Sequence, residues 1–170
     1  MHPHELLDHI IRPTLKQLDE NTPEHRNRFG SPAAQQLLLA TAAQESRCGE
    51  YVQQIKGPAV GIYQMEPDTI QDLYDNYLKH RINLLPAYYR FQISGLGVNF
   101  QLHSNMAFAT ALARLQYFRF PEPLPELNDR QGMWLYYKTW WNTAEGAATE
   151  AQFSDNWFYF GIDKLFNRPN

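Results

Sequence analysis

One cysteine, Cys48, is all the chain carries, so no internal disulfide can brace it and the folding compartment is unconstrained. Basic residues are not in excess: 15 Lys and Arg stand against 18 Asp and Glu, a formal charge of -3. Such a balance offers no field for gripping phosphate backbones, which argues against a nucleic-acid partner. Nor would it attract any other polyanion, which would have to be held by local contacts. No window approaches eighteen consecutive apolar residues, so no membrane-inserted segment is expected. The opening "MHPHELLDHI" lacks a basic start followed by an apolar stretch and does not read as a signal peptide. On that reading the chain is made and folded in the cytosol, and something else carries it to any site of action outside. Repeats and low-complexity segments are also missing. His2, His4 and His9 have no spacing that matches a closed metal site, so neither metal nor cofactor is expected.

What remains is an ordinary globular composition, 44% hydrophobic and 19% charged, with a high aromatic share of 14%. A chain of this size suits one domain that buries roughly two thirds of its unfolded surface. The aromatics either fill a core or line a groove for sugars and flat ligands. Leu6, Leu7, Ile10, Ile11, Leu15 and Leu18 recur at helical intervals, with Pro13 expected to kink or divide the helix. Ser31 and Pro32 mark the start of a second helix that runs to about Ser46, with Gly49 as its stop. Residues 51–65 lack a helical period and read as a loop with at most a small β-hairpin. Asp68 is the expected cap of the next helix. A short helix over 84–97, one long helix over 101–118 and two more over 130–141 and 150–166 follow. The fold class expected is mainly α: a single compact helical domain, residues 1–170, with a cleft.

The chemistry gathers where the second helix ends. Leu37, Leu38 and Leu39 with Ala40, Ala42 and Ala43 form an apolar run that arrives at Glu45. A solvated Glu titrates near ~4.3. Desolvation at an apolar helix end raises that value, and the negative end of the helix dipole pushes the same way. A carboxylic acid that keeps its proton near neutrality can serve as a general acid. Leu38, Leu39, Ala42 and Met65 are the expected walls of its pocket.

Glu45 and Ser46, followed by "GIYQMEPDT", resemble the lysozyme-like fold of soluble lytic transglycosylases and goose-type lysozymes. The family signature is Glu-Ser, a loop, then Gly-Leu-Met-Gln-aliphatic-x-Pro-x-Thr. Gly61, Ile62, Tyr63, Gln64, Met65, Pro67 and Thr69 take up the second part in register, with Tyr63 for the usual Met. Asn105, Met106 and Ala109 resemble a later Asn-apolar-x-x-small block. Trp141, Asn142 and Gly146 resemble an Ala-Tyr-Asn block followed by Gly. The resemblance covers residues 31 to 146, leaving the N-terminal helices and the C-terminal helix as additions.

The resemblance implies an enzyme that cleaves the β-1,4 bond of peptidoglycan with Glu45 as general acid and base. Substrate contacts are expected from Ser46, Tyr63, Gln64, Met65, Asn105, Tyr137, Trp141 and Asn142. Two departures stand out. Trp141 replaces the family's Tyr, with Tyr137 four residues earlier as the substitute; and the loop serine of many relatives is missing from "YVQQIKGPAVG". A hydrolase would need a second carboxylate, for which Glu66 and Glu50 are the candidates, whereas a transglycosylase needs none. The residues around "YYKTWWNTAEG" resemble small phage-encoded members. That resemblance implies either a virion component with tail or baseplate proteins as partners, or an endolysin. A lysozyme-fold tail part without catalysis is the structural alternative, and a non-hydrolytic glycan-binding module is another.

Overall fold

Ser31 begins the element on which the rest is built. In the computed structural model its hydroxyl accepts from the Ala34 N–H and Pro32 occupies the first turn of a helix over Pro32–Ser46. The structure describes residues 1–22, 24, 28–144 and 146–167. Along the chain the α-helices are α1 (Pro3–Glu5), α2 (Arg12–Asn21), α3 (Pro32–Ser46), α4 (Pro67–Asn76), α5 (Leu85–Phe91), α6 (Val98–Ser104), α7 (Met106–Phe118), α8 (Arg130–Tyr137), α9 (Glu150–Tyr159) and α10 (Ile162–Phe166). Helix accounts for 64% and strand for 2%, with no sheet among the described residues, so the mainly α expectation holds.

Both α3 and α7 are buried almost all round, and Leu38, Leu39, Ala42 and Ala43 of one join the same core as Phe108, Leu112 and Leu115 of the other. Against this pair pack α2, α5 and α6 on the side of α7, and α8, α9 and α10 on the side of α3. No described helix is long and apolar enough to cross a membrane.

Several local expectations are corrected. Pro13 does not divide the first helix; the turns before it, Leu6–Ile11, widen to a π-helix, and α2 continues from there. A widened turn relieves the clash between the proline ring and the preceding carbonyls. Asp68 is not the cap of α4: Glu66 holds that position and Pro67 starts the helix. The long helix expected over 101–118 breaks at Asn105, whose side chain accepts from Phe108 N–H to start α7 afresh. The last helix likewise splits at Gly161, at φ 59°.

The end of α3 matters most for the site. Gly49 is not what stops it. Arg47 and Cys48 are already left-handed at φ 52° and 58°, and Gly49 follows at 82°. Their N–H groups return to the carbonyls of Ala43 and Ala42, at 3.1 and 2.9 Å. Three consecutive left-handed residues reverse the chain at once, so Glu45 stands on the last turn before a sharp corner. The segment then crosses the molecule and closes a tight turn, where Val60 and Met65 exchange two backbone hydrogen bonds of 3.0 Å. Only this bridge and a second one, Gln53 to Val60, give the loop its β character.

Candidate active site

Glu45 lies in a groove of about 770 Å³. One wall is the 51–69 segment, which contributes Tyr51, Gln64, Met65, Glu66 and Thr69. The facing wall is α8 with its continuation, which contributes Tyr137, Trp141 and Asn142. Glu45 and Gln64, 19 positions apart in the chain, therefore border one crevice.

Burial pushes the Glu45 carboxyl up from 4.5 to about 7. Two hydrogen bonds, from Tyr137 and from Trp141, pull in the other direction and leave the acid poised near neutrality. The Tyr137 hydroxyl donates to Glu45 Oε1 at 2.6 Å. Burial beside this acid raises the Tyr137 phenol in turn, so its proton stays on and remains available to donate. Tyr137 thus supplies the hydroxyl that Trp141 cannot. Trp141 lines the same groove and holds the acid's pKa down a little further.

A local change of helix pitch brings these groups together. After Tyr137 the helix opens into a π-turn over Lys138–Asn142. With more than four residues per turn, both Trp141 and Asn142 swing to the face that holds Tyr137. The Lys138 ammonium fixes that turn, donating at 2.7 Å to both Asn142 Oδ1 and the Gly146 carbonyl. With its oxygen so occupied, Asn142 is left to oppose the rise in the Tyr137 pKa through its amide nitrogen. Lys138 thus holds Asn142 on the groove wall that carries the Tyr137 hydroxyl, the donor to Glu45.

Gln64 sits at φ 45° in the Gly61–Gln64 turn, and its amide nitrogen donates to the Gly61 carbonyl at 2.7 Å. That leaves its carbonyl oxygen for the groove. Gly61 itself is at φ 78°, with the Leu102 carbonyl only 2.3 Å from where a Cβ would stand. The segment turns at Gln64, so the alternation of an extended strand does not apply to Glu66 two positions on. Glu66 lines the groove nonetheless, from the cap position of α4.

Four expected site residues lie elsewhere. Ser46 is fully buried; its hydroxyl donates to the Ile62 carbonyl at 2.6 Å and accepts from Gly49 N–H, tying the corner to the turn. Tyr63 is fully buried too, its hydroxyl 3.2 Å from Thr110 Oγ1. Its ring meets Trp141 edge-on at 6.3 Å, so it supports a groove residue from below and cannot stack on a ligand. Asn105 is taken up at both ends, by the cap of α7 and by donation to the Phe91 carbonyl. Glu50 follows the left-handed corner onto another face, where it pairs with Arg47 Nε at 2.9 Å. It is therefore not a second carboxylate for this groove. Of the expected walls only Met65 lines the groove; Leu38, Leu39 and Ala42 belong to the core beneath it.

Cys48, buried, has its thiol pushed up to about 12 by desolvation and is no nucleophile. Among the described residues no group of three metal-ligating side chains converges. Groove residues that the sequence pattern did not single out include Gln44, Tyr51, Gln54, Gln116 and Gln152. They come from four separate stretches, and nothing in their local sequence marks them. Comparison of the chain with protein-family models, with curated proteins and with solved structures finds no match.

Proposed function

We propose that the protein is a lysozyme-like lytic transglycosylase that cleaves the β-1,4 bond between N-acetylmuramic acid and N-acetylglucosamine in peptidoglycan. The observation that carries this reading is a proton-holding Glu45 in one groove with Gln64 and Trp141, where the Tyr137 hydroxyl donates to it. The acid delivers its proton to the leaving O4 as the C1–O bond breaks, assisted by the acetamido group of the departing ring's neighbour. The resulting carboxylate, stabilised by the Tyr137 and Trp141 donors, then takes the proton from the C6 hydroxyl as that oxygen closes on C1. The product is an anhydro end, and Glu45 is again protonated. A pKa near 7 suits both steps, since neither form is scarce at neutral pH.

Hydrolysis is the second reading, and the observation that favours it is Glu66, an exposed carboxylate in the same groove. Against the non-catalytic tail-component reading stands the Tyr137 hydroxyl, which meets the acid although Trp141 occupies the family's Tyr position. The test is mass spectrometry of fragments released from purified sacculi by the wild type and by Glu45→Gln. Anhydro ends from the wild type alone are expected. Reducing ends would select hydrolysis through Glu66. Absence of fragments from both proteins would overturn the enzymatic reading.

A further inference from the structure

The groove is walled by carboxamides, and the Lys138 ammonium stands behind that wall rather than in it. Gln44, Gln53, Gln54, Gln64, Gln116 and Gln152 all line it, and among the described lining residues there is no Lys, Arg or His. The charged or chargeable carboxyls present are Glu45 and Glu66. Lys138, at the base of the π-turn, has its ammonium occupied by Asn142 and Gly146.

Four of the amides are half-anchored, which fixes the group each turns to the groove. Gln44 Oε1 accepts from Asn156 at 3.0 Å, Gln54 Oε1 from Ala59 N–H at 3.2 Å, and Gln152 Oε1 from Thr149 N–H at 3.1 Å. Each of the three keeps its NH₂ for a ligand. Gln64 is anchored the other way, through its nitrogen, and keeps its oxygen. Three oriented donors and one oriented acceptor match acetamido groups and hydroxyls, which offer acceptors and donors without charge. Tyr51, 45% exposed, and the partly exposed ring of Trp141 add flat apolar surface for sugar faces.

We propose that this groove selects the uncharged form of its glycan: sugar rings bearing acetamido and peptide-capped lactyl groups are accepted, and rings bearing a free lactyl carboxylate are disfavoured. This rests on the glycan-cleaving reading above. A free carboxylate entering the groove is desolvated with only neutral donors to compensate it, and it meets the like charge of Glu66. Capping that carboxyl with a peptide turns it into an amide, which the glutamine walls match.

The test is calorimetric titration of the Glu45→Gln protein, which binds without turnover, with three probes of equal length. These are a neutral N-acetylglucosamine oligosaccharide, a denuded muramyl strand with free lactyl acids, and the same strand with those acids capped as alanyl amides. The neutral and capped probes are expected to bind about tenfold more tightly than the free acid at low salt. The gap should narrow in 0.5 M salt and in the Glu45→Gln/Glu66→Gln double variant. Equal or tighter binding of the free acid overturns the proposal and leaves the enzymatic reading standing. Failure of all three to bind overturns both.

Discussion

Glu45 is where two opposing effects of similar kind are weighed on one side chain. Burial disfavours the charged form, while the Tyr137 and Trp141 donors favour it; burial wins, and the carboxyl rises from 4.5 to about 7. A folded-state value above the unfolded one means that the native protein holds the proton more tightly. The stability this contributes is complete below about pH 4.5 and is lost as pH rises through about 7. The shift corresponds to something on the order of 3 kcal/mol. Glu45→Gln keeps the shape without the charge, so its melting temperature should exceed the wild type's at pH 8.5 and equal it at pH 4. A variant that melts lower at pH 8.5 would contradict a desolvated acid. Tyr137→Phe removes a donor from the carboxylate, so the Glu45 pKa should rise further, read from the side-chain carbonyl chemical shift across a pH titration. Lytic activity of the wild type should decline above about pH 7, as the acid loses its proton.

Within the secondary-structure elements, two departures from regularity shape the groove. The first is the Gly61–Gln64 turn. Gly61→Ala meets both a φ of 78° and the Leu102 carbonyl at 2.3 Å, so a loss of more than about 2 kcal/mol is expected in chemical denaturation. A near-neutral result would show that the turn is not packed against α6 as described. The second is the π-turn, where Lys138→Met removes the ammonium that holds Asn142. That variant should release fragments at least about tenfold more slowly while melting within a few degrees of the wild type. The start of α3 was readable because its cap is local, Ser31 beside Pro32, and its end fell at Ser46 as expected. The devices that stop and restart helices were not. Arg47 and Cys48 take a left-handed conformation that their residue types do not announce, and the split at Asn105 depends on its reaching the Phe91 carbonyl.

Across the whole molecule, α3 and α7 share one core, and the groove acid stands on the end of the first. Leu112, fully buried on α7, is central to it. Leu112→Ala should cost about 2–5 kcal/mol and lower the urea midpoint with little change in slope. The largely apolar runs over 37–43 and 106–115 announced two buried helices without any structural help, because burial on nearly all sides needs apolar residues at most positions; Thr41, Thr110 and Arg114 are buried with hydrogen-bond partners. Residue chemistry likewise marked Glu45 as an acid at an apolar helix end, and the resemblance to lysozyme-like enzymes paired it with Gln64. Membership of the groove was another matter. Tyr63 points inward and its neighbour Gln64 outward because a tight turn separates them. Glu50 leaves the site because the chain reverses at Arg47. Tyr137 enters it from 92 positions away, through a helix whose pitch changes just beyond it. Local sequence encodes which residues prefer a helix or resist burial; which side chains meet across the groove depends on the packing of distant segments, and only the folded chain sets those distances.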